Sequence, residues 1–180
     1  MGRTWAPKGQ TPVVRYTVKG KRRIAAIGAV TLQGDVFFRL HDETIDSELV
    51  IDYIRQLLRE FKDRHIVLLW DNSPTHVSKA TKAFLEGIKE RLTFFNLPPY
   101  FPELNPVEFV WTFIKWAKMR GYCAIDTDHL TKRVRRCVRS LRRNPELVRS
   151  YIKECPLPVG EDEKEKMAKL LALCDAMSKK

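Results

Sequence analysis

Leu49, Val50, Tyr53, Ile54, Leu57, Leu58 and Phe61 recur at helical spacing along the chain, which predicts an amphipathic helix over 46–62 capped by Thr44 or Asp46. Before it, an apolar run from Arg22 to Val30, a Gln33-Gly34 break and a second run from Asp35 to Leu40 predict a hairpin of two strands. After it, His65 to Trp70 is short and continuously apolar, the pattern of a strand covered on both faces. That run stops at Asp71-Asn72-Ser73-Pro74, which is turn chemistry.

A helix over 78–89 capped by Ser78 and a strand over 92–97 come next, then a proline-rich loop from Pro98 to Pro106. Apolar spacing predicts a helix from Val107 to Arg120 closed by Gly121. Asp126 or Thr127 opens a basic helix reaching about Arg143, and Pro145 starts another, proline being accepted at a first helical position. Pro156 to Gly160 reads as a linker, followed by a tail helix with a Met167, Leu170, Leu171, Cys174, Met177 stripe. The order of elements predicts a mixed α/β fold with the sheet central. The expected layout is a main domain over 1–122, a basic helical extension of it over 123–155, and a linker with tail helix over 156–180.

Composition narrows the class. Of 180 residues, 44% are hydrophobic and 10% aromatic, enough for a packed core and against wholesale disorder. No apolar run approaches the roughly 20 residues of a membrane helix, and the N-terminus lacks the apolar core of a signal peptide. A cytoplasmic protein is expected. Cys123, Cys137, Cys155 and Cys174 contain no C-x-x-C pair, so they are expected as reduced thiols filling apolar helix faces, without zinc or disulfides.

Charge points to a partner. The net charge is +11 and the isoelectric point about 9.7, a balance that favours a polyanion. Met1 to Arg23 holds seven basic residues and no acid, and Phe109 to Lys153 holds 12 Lys or Arg against Asp126, Asp128 and Glu146. The helical part of that second segment carries Lys132, Arg133, Arg135, Arg136, Arg139, Arg142 and Arg143. Spread around more than one face, they suit contact with a phosphate backbone better than readout of base edges.

Two acids stand where chemistry is often placed. Asp71 closes the buried strand, and strand ends form ligand crevices in α/β sheets. An Asx-turn explains the same residue structurally. Glu108 falls at the second position of the expected 107–120 helix, where a carboxylate also complements the helix dipole. A strand-end Asp and a helix-start Glu, separated by a helix and a neighbouring strand, can converge, and two converging carboxylates suit Mg²⁺, which prefers hard oxygen ligands.

The segments Val67-Leu68-Leu69-Trp70-Asp71-Asn72-Ser73-Pro74-Thr75-His76 and Leu97-Pro98-Pro99-Tyr100-Phe101-Pro102-Glu103-Leu104-Asn105-Pro106-Val107-Glu108-Phe109-Val110-Trp111 resemble the second and third acidic motifs of the DDE superfamily. Within it they are similar to mariner-type transposases and their bacterial insertion-sequence relatives. The 36 residues between Asp71 and Glu108 suit that family's spacing, and Arg3-Thr4-Trp5-Ala6-Pro7-Lys8-Gly9 resembles a further landmark. The resemblance covers Arg3 to about Tyr122.

It implies a ribonuclease H-like mixed sheet flanked by helices, and DNA cleavage and strand transfer in cut-and-paste transposition. It also implies an acidic triad holding two Mg²⁺ or Mn²⁺ ions, with Asp71 and Glu108 as two of its catalytic, metal-binding members. Asn72, His76 and Asn105 are expected to hydrogen-bond around those acids. Lys115, Lys132, Arg135, Arg136 and Arg139 are expected to meet DNA, with Trp111 as core or a stacking wall. The resemblance puts the first aspartate before Arg3, off this chain, together with a sheet strand and a helix-turn-helix module. A truncated or frameshifted domain, weakly active or inactive alone, is therefore expected. Its partners would be transposon-end and target DNA, a second copy when complete, and an upstream-frame polypeptide. Two other readings stand beside it: a non-catalytic DNA-binding or dimerising remnant that modulates a full-length transposase, and a metal-dependent nuclease without strand transfer.

Overall fold

A computed structural model describes residues 7–10, 24–99 and 101–155. The basic stretch over 11–23, most of the Arg3 landmark, Tyr100, the linker and the tail helix with Cys174 lie outside the described residues. Contacts divide the chain into two units, Met1–Thr44 with Phe109–Arg149, and Ile45–Glu108 with Ser150–Lys180.

In the second unit, Asp46 caps α1 (Ser47–Glu60) by accepting from the Leu49 amide through Oδ1 at 2.8 Å. That bond satisfies one of the donors a helix start leaves free. Val50, Tyr53, Ile54 and Leu57 are buried along one face, each burial contributing about 1.5–3 kcal/mol. Strands β3 (Ile66–Trp70) and β4 (Leu92–Asn96) pair in parallel, with Trp70 opposite Asn96. Between them runs α2 (Lys79–Glu86), which packs on α1. Ser78 caps α2 and also accepts from Ser47 Oγ at 2.8 Å, so the starts of α1 and α2 are joined. The helix is shorter than the expected 78–89 because the chain tightens at Gly87, where Ile88 N donates to Leu85 O.

The first unit contains the hairpin β1 (Ala25–Val30) and β2 (Val36–His41), antiparallel with Val30 opposite Val36. Its turn is closed by Thr31 N donating to Asp35 O at 3.0 Å and by the Thr31 hydroxyl donating to Asp35 Oδ2 at 2.9 Å. Gly34 occupies the turn at φ +92°, and a Cβ there would lie 2.4 Å from the Pro145 carbonyl oxygen. Both conditions call for glycine.

Helix α3 (Pro106–Thr112) starts one residue earlier than expected and gives way to a π-helical segment over Phe113–Lys118. The sequence predicts one continuous α-helix to Arg120. The periodicity of Val110 and Ile114, both buried, fits either winding, so only tertiary packing decides between them. Gly121 then ends the segment at φ +71°.

Helix α4 (Thr127–Arg142) is capped by Asp126, whose Oδ1 accepts from the His129 amide at 2.7 Å. It packs on β2, and Cys137, Val138 and Leu141 are buried along one of its faces. Helix α5 (Pro145–Glu154) begins at its proline, with Asn144 Oδ1 accepting from Leu147 N. Cys137 and Cys155 are buried thiols, but Cys123 is exposed, a departure from its expected place on an apolar helix face. It lies in the loop before α4, where no neighbouring turn covers it. Among the described residues no helix is long and apolar enough to cross a membrane.

Candidate metal and nucleic-acid sites

The C-terminal ends of β3 and β4 are tied together just where the first acid stands. Leu97 N donates to Trp70 O at 2.7 Å, and Asn72 Nδ2 donates to Leu97 O at 2.6 Å. Asn72 thus bonds across to the neighbouring strand exit rather than around Asp71. Asp71 follows Trp70 directly, and its Oδ1 accepts from Ser73 N at 3.0 Å, an Asx-turn.

The same oxygen lies 2.8 Å from His76 Nδ1. This histidine hydrogen bond holds the Asp71 carboxyl below its ordinary pKa of 3.8, and the Ser73 amide and the histidine's charge add to the effect. Partial burial opposes it. The outcome is a carboxylate ionised at neutral pH, although its side chain remains 55% exposed.

Glu108 is placed by the other wall. Asn105 has extended backbone, accepts from Val107 N through Oδ1 at 3.2 Å, and accepts from Glu108 N through its carbonyl at 2.9 Å. It serves as the N-cap of α3, with Pro106 first and Glu108 third in the helix. Glu108 is therefore one position further in than the sequence predicts, because the helix includes the proline.

Asp71 and Glu108 line one cleft of about 460 Å³, together with Asn72, Ser73, Asn105 and the proline-rich segment around Pro98, Phe101 and Pro102. They are the acids of that lining. Among the described residues no group of three His, Cys, Asp or Glu side chains comes together as a metal site. Two carboxylates on one cleft match the hard-oxygen preference of Mg²⁺ and Mn²⁺.

Trp70, which sequence reasoning passed over, stacks on His76 with ring centroids 4.5 Å apart and planes 5° apart. The available signal was its position as the last residue of a short apolar run, immediately before the acid.

The basic residues divide sharply. Arg142 Nε donates to Val36 O at 2.8 Å, and Arg133 donates to Lys118 O at 2.7 Å while lying over the Tyr122 ring. Arg149 pairs with Glu146 and reaches Gln33 O. These three arginines bind their own unit. Arg135, Arg136, Arg139 and Arg143 are exposed, as is Lys132, which pairs with Asp128 at 2.6 Å. At 3.6 residues per turn, these last five fall within roughly a third of the helix circumference, opposite the buried stripe. Arg133 and Arg142 flank that face and hydrogen-bond within their own unit, Arg142 remaining exposed. Lys115 is exposed on the π-helical segment. Trp111 is half-buried and meets Phe38 edge-on at 4.5 Å, so it packs on β2.

The family described as DDE superfamily endonuclease matches residues 1–130. The chain belongs to that family. Its fold is similar to solved structures of the Mos1 mariner transposase. One is a paired-end complex with the left transposon end (TM-score 0.56, 18% identity), covering 86% of this chain and 50% of that one. A Mos1 paired-end complex with Mn gives a TM-score of 0.57 at 19% identity, covering 85% and 49%. The catalytic domain of Mos1 gives 0.53 at 17%, covering 68% of each. At these identities the likeness is one of fold, the mixed α/β, ribonuclease H-like class expected from the sequence. The curated relative y4pE/y4sA of Sinorhizobium fredii, an uncharacterised protein, is 35% identical over 71 residues, 39% of this chain and 49% of that protein. The chain thus spans about half the length of that relative and of the two paired-end complexes.

Proposed function

We propose that this DDE-family chain is the catalytic part of a cut-and-paste DNA transposase, with Asp71 and Glu108 as two carboxylates of its divalent-metal site. The observation that carries the reading is their shared cleft, formed by a strand end and a helix start. Asp71 enters ionised, and Asn105 sets the helix turn that carries Glu108. Asp71 and Glu108 would help hold the divalent ion, and bound Mg²⁺ or Mn²⁺ would supply stabilisation of the charge that develops on the oxygens of a phosphodiester displacement. Metal in Mos1, named with Mn, and the transposon end in its complex support the assignment of cofactor and substrate.

DNA is held through the exposed face of α4, with Lys132, Arg135, Arg136 and Arg139 neutralising phosphates, and through Lys115. The protein acts on DNA in the cytoplasm, on transposon ends and target, as a homodimer.

The test begins with Mn²⁺ titration of the full chain. Asp71→Asn or Glu108→Gln should weaken binding at least tenfold without changing the melting temperature. The chain extended to the length of its relatives should join a donor 3′ end to target DNA in Mg²⁺ or Mn²⁺. Mn²⁺ binding indifferent to both substitutions refutes the metal assignment. Cleavage without joining favours a nuclease. DNA binding with no metal dependence favours the alternative that the exposed basic face of α4 also accommodates, a DNA-binding remnant acting on a full-length transposase.

A further inference from the structure

We propose that His76, held flat against Trp70, is a positioning residue for Asp71: it fixes one carboxylate oxygen and leaves the other, Oδ2, as the oxygen offered to a divalent cation. The inference rests on the reading of Asp71 as a metal-binding carboxylate and assigns the group that aims it.

The geometry is more than a turn requires. An Asx-turn at Asp71 needs only the Ser73 amide, which donates to Oδ1 at 3.0 Å. His76 adds a second donor to that same oxygen, at 2.8 Å. Among the described residues no donor reaches Oδ2. A carboxylate oxygen only accepts, so Nδ1 must carry the proton. The same nitrogen lies 3.3 Å from the Asp71 carbonyl oxygen, which centres it over both acceptors of this residue. With Nδ1 so engaged, and a hard cation preferring oxygen, His76 serves the carboxylate and not the metal directly.

The ring is covered on one face and its main chain is pinned. Trp70 covers one face, with planes 5° apart and centroids 4.5 Å apart. The main chain is pinned by His76 N donating to Ser73 O at 2.8 Å, and by the fully buried Thr81 on α2, whose hydroxyl donates to Thr75 O at 2.7 Å. A strand end and a helix therefore set the imidazole plane, and the imidazole sets the carboxylate. Groups that orient a metal-binding side chain in this way typically change metal affinity 10–100-fold when removed.

The experiment measures Mn²⁺ affinity of the full chain by electron paramagnetic resonance, with melting temperatures alongside. His76→Phe keeps a flat ring against Trp70 but removes the donor, and should weaken Mn²⁺ binding about tenfold or more. His76→Asn places an amide N–H near the Nδ1 position and should recover most of that loss, a rescue that mere packing does not predict. Unchanged affinity in His76→Phe beside weakened affinity in Asp71→Asn overturns this inference alone. Unchanged affinity in both overturns the metal-site reading and this inference with it. Failure of His76→Asn to bind better than His76→Phe also overturns it. A measurement that needs no variant is long-range ¹H–¹⁵N correlation of the wild-type His76 ring: protonation at Nδ1 is expected, and a ring protonated at Nε2 alone overturns the proposal.

Discussion

Asn72 donates through Nδ2 to the carbonyl of Leu97 at 2.6 Å, while Leu97 N donates to Trp70 O at 2.7 Å. The exits of the two parallel strands are thus locked by a pair of bonds, one of them from a side chain next to Asp71. Removing it leaves the partly buried Leu97 carbonyl without its donor, so Asn72→Ala should cost about 1 kcal/mol in urea denaturation. Asn72→Asp should cost more, because a carboxylate facing a carbonyl oxygen repels it. Wild-type stability in both variants would show that the lock is unimportant.

Asn105 holds the opposite wall of the cleft. Asn105→Ala removes the acceptor for Val107 N and should lower stability by about 1 kcal/mol, the usual worth of an N-cap. Because Glu108 sits in the first turn of the same helix, Mn²⁺ affinity should fall as well. Asn105→Asp or Asn105→Ser should restore both, and the comparison is made by calorimetry and metal titration on the same samples.

The two classes of arginine on α4 should separate in a salt titration. Replacing Arg135, Arg136 or Arg139 by Gln should reduce the slope of log K against log salt for duplex DNA by roughly 0.9 for each phosphate no longer neutralised, with little change in stability. Arg142→Gln should do the reverse, since its guanidinium donates to Val36 O. An Arg142→Gln variant with wild-type stability and a reduced slope would contradict this division.

Gly34 joins a positive φ to a close approach on Pro145. Gly34→Ala should destabilise by at least about 2 kcal/mol, a melting-temperature loss of roughly 4–8 °C for a chain of this size. Gly121, also at positive φ but with open space around its Cβ position, should tolerate alanine better.

Burial raises the pKa of Tyr151 above its ordinary 10.0, with the nearby Glu154 charge adding to it. A raised folded-state value means that this contribution to stability is fully present below pH 10 and is lost as pH rises through the folded-state value. Absorbance titration at alkaline pH should show a late-ionising tyrosine that disappears in Tyr151→Phe, and the variant should lose less stability over that range. A Tyr151 that ionises at its ordinary pH would contradict the effect of burial.

Much of this was legible in the residues themselves. The stripe on α1, the cap Ser78, the narrowing of two further caps to Thr44 or Asp46 and to Asp126 or Thr127, the strand closing at Asp71, and the family are properties of local spacing and of motifs contiguous in the chain. The expected cover on both faces of that strand is not found, since only Trp70 of it is buried and Val67 is exposed. Periodicity and capping are short-range physics, so a linear sequence carries them. Whether Phe113–Lys118 winds as α or π, whether Asn72 turns toward Asp71 or across to Leu97, and which arginines of α4 are left for a partner are set by atoms distant in sequence. Arg142 is spent on Val36 because the fold places a strand carbonyl beside it, and no pattern within α4 announces that. The stack of His76 on Trp70 likewise needs the turn after β3 to fold back on its own strand. Sequence alone determined which side chains were available for chemistry, since residue type and local spacing are written in the chain; only the tertiary structure decided which of them meet, since side-chain contacts depend on the positions of groups brought together by folding.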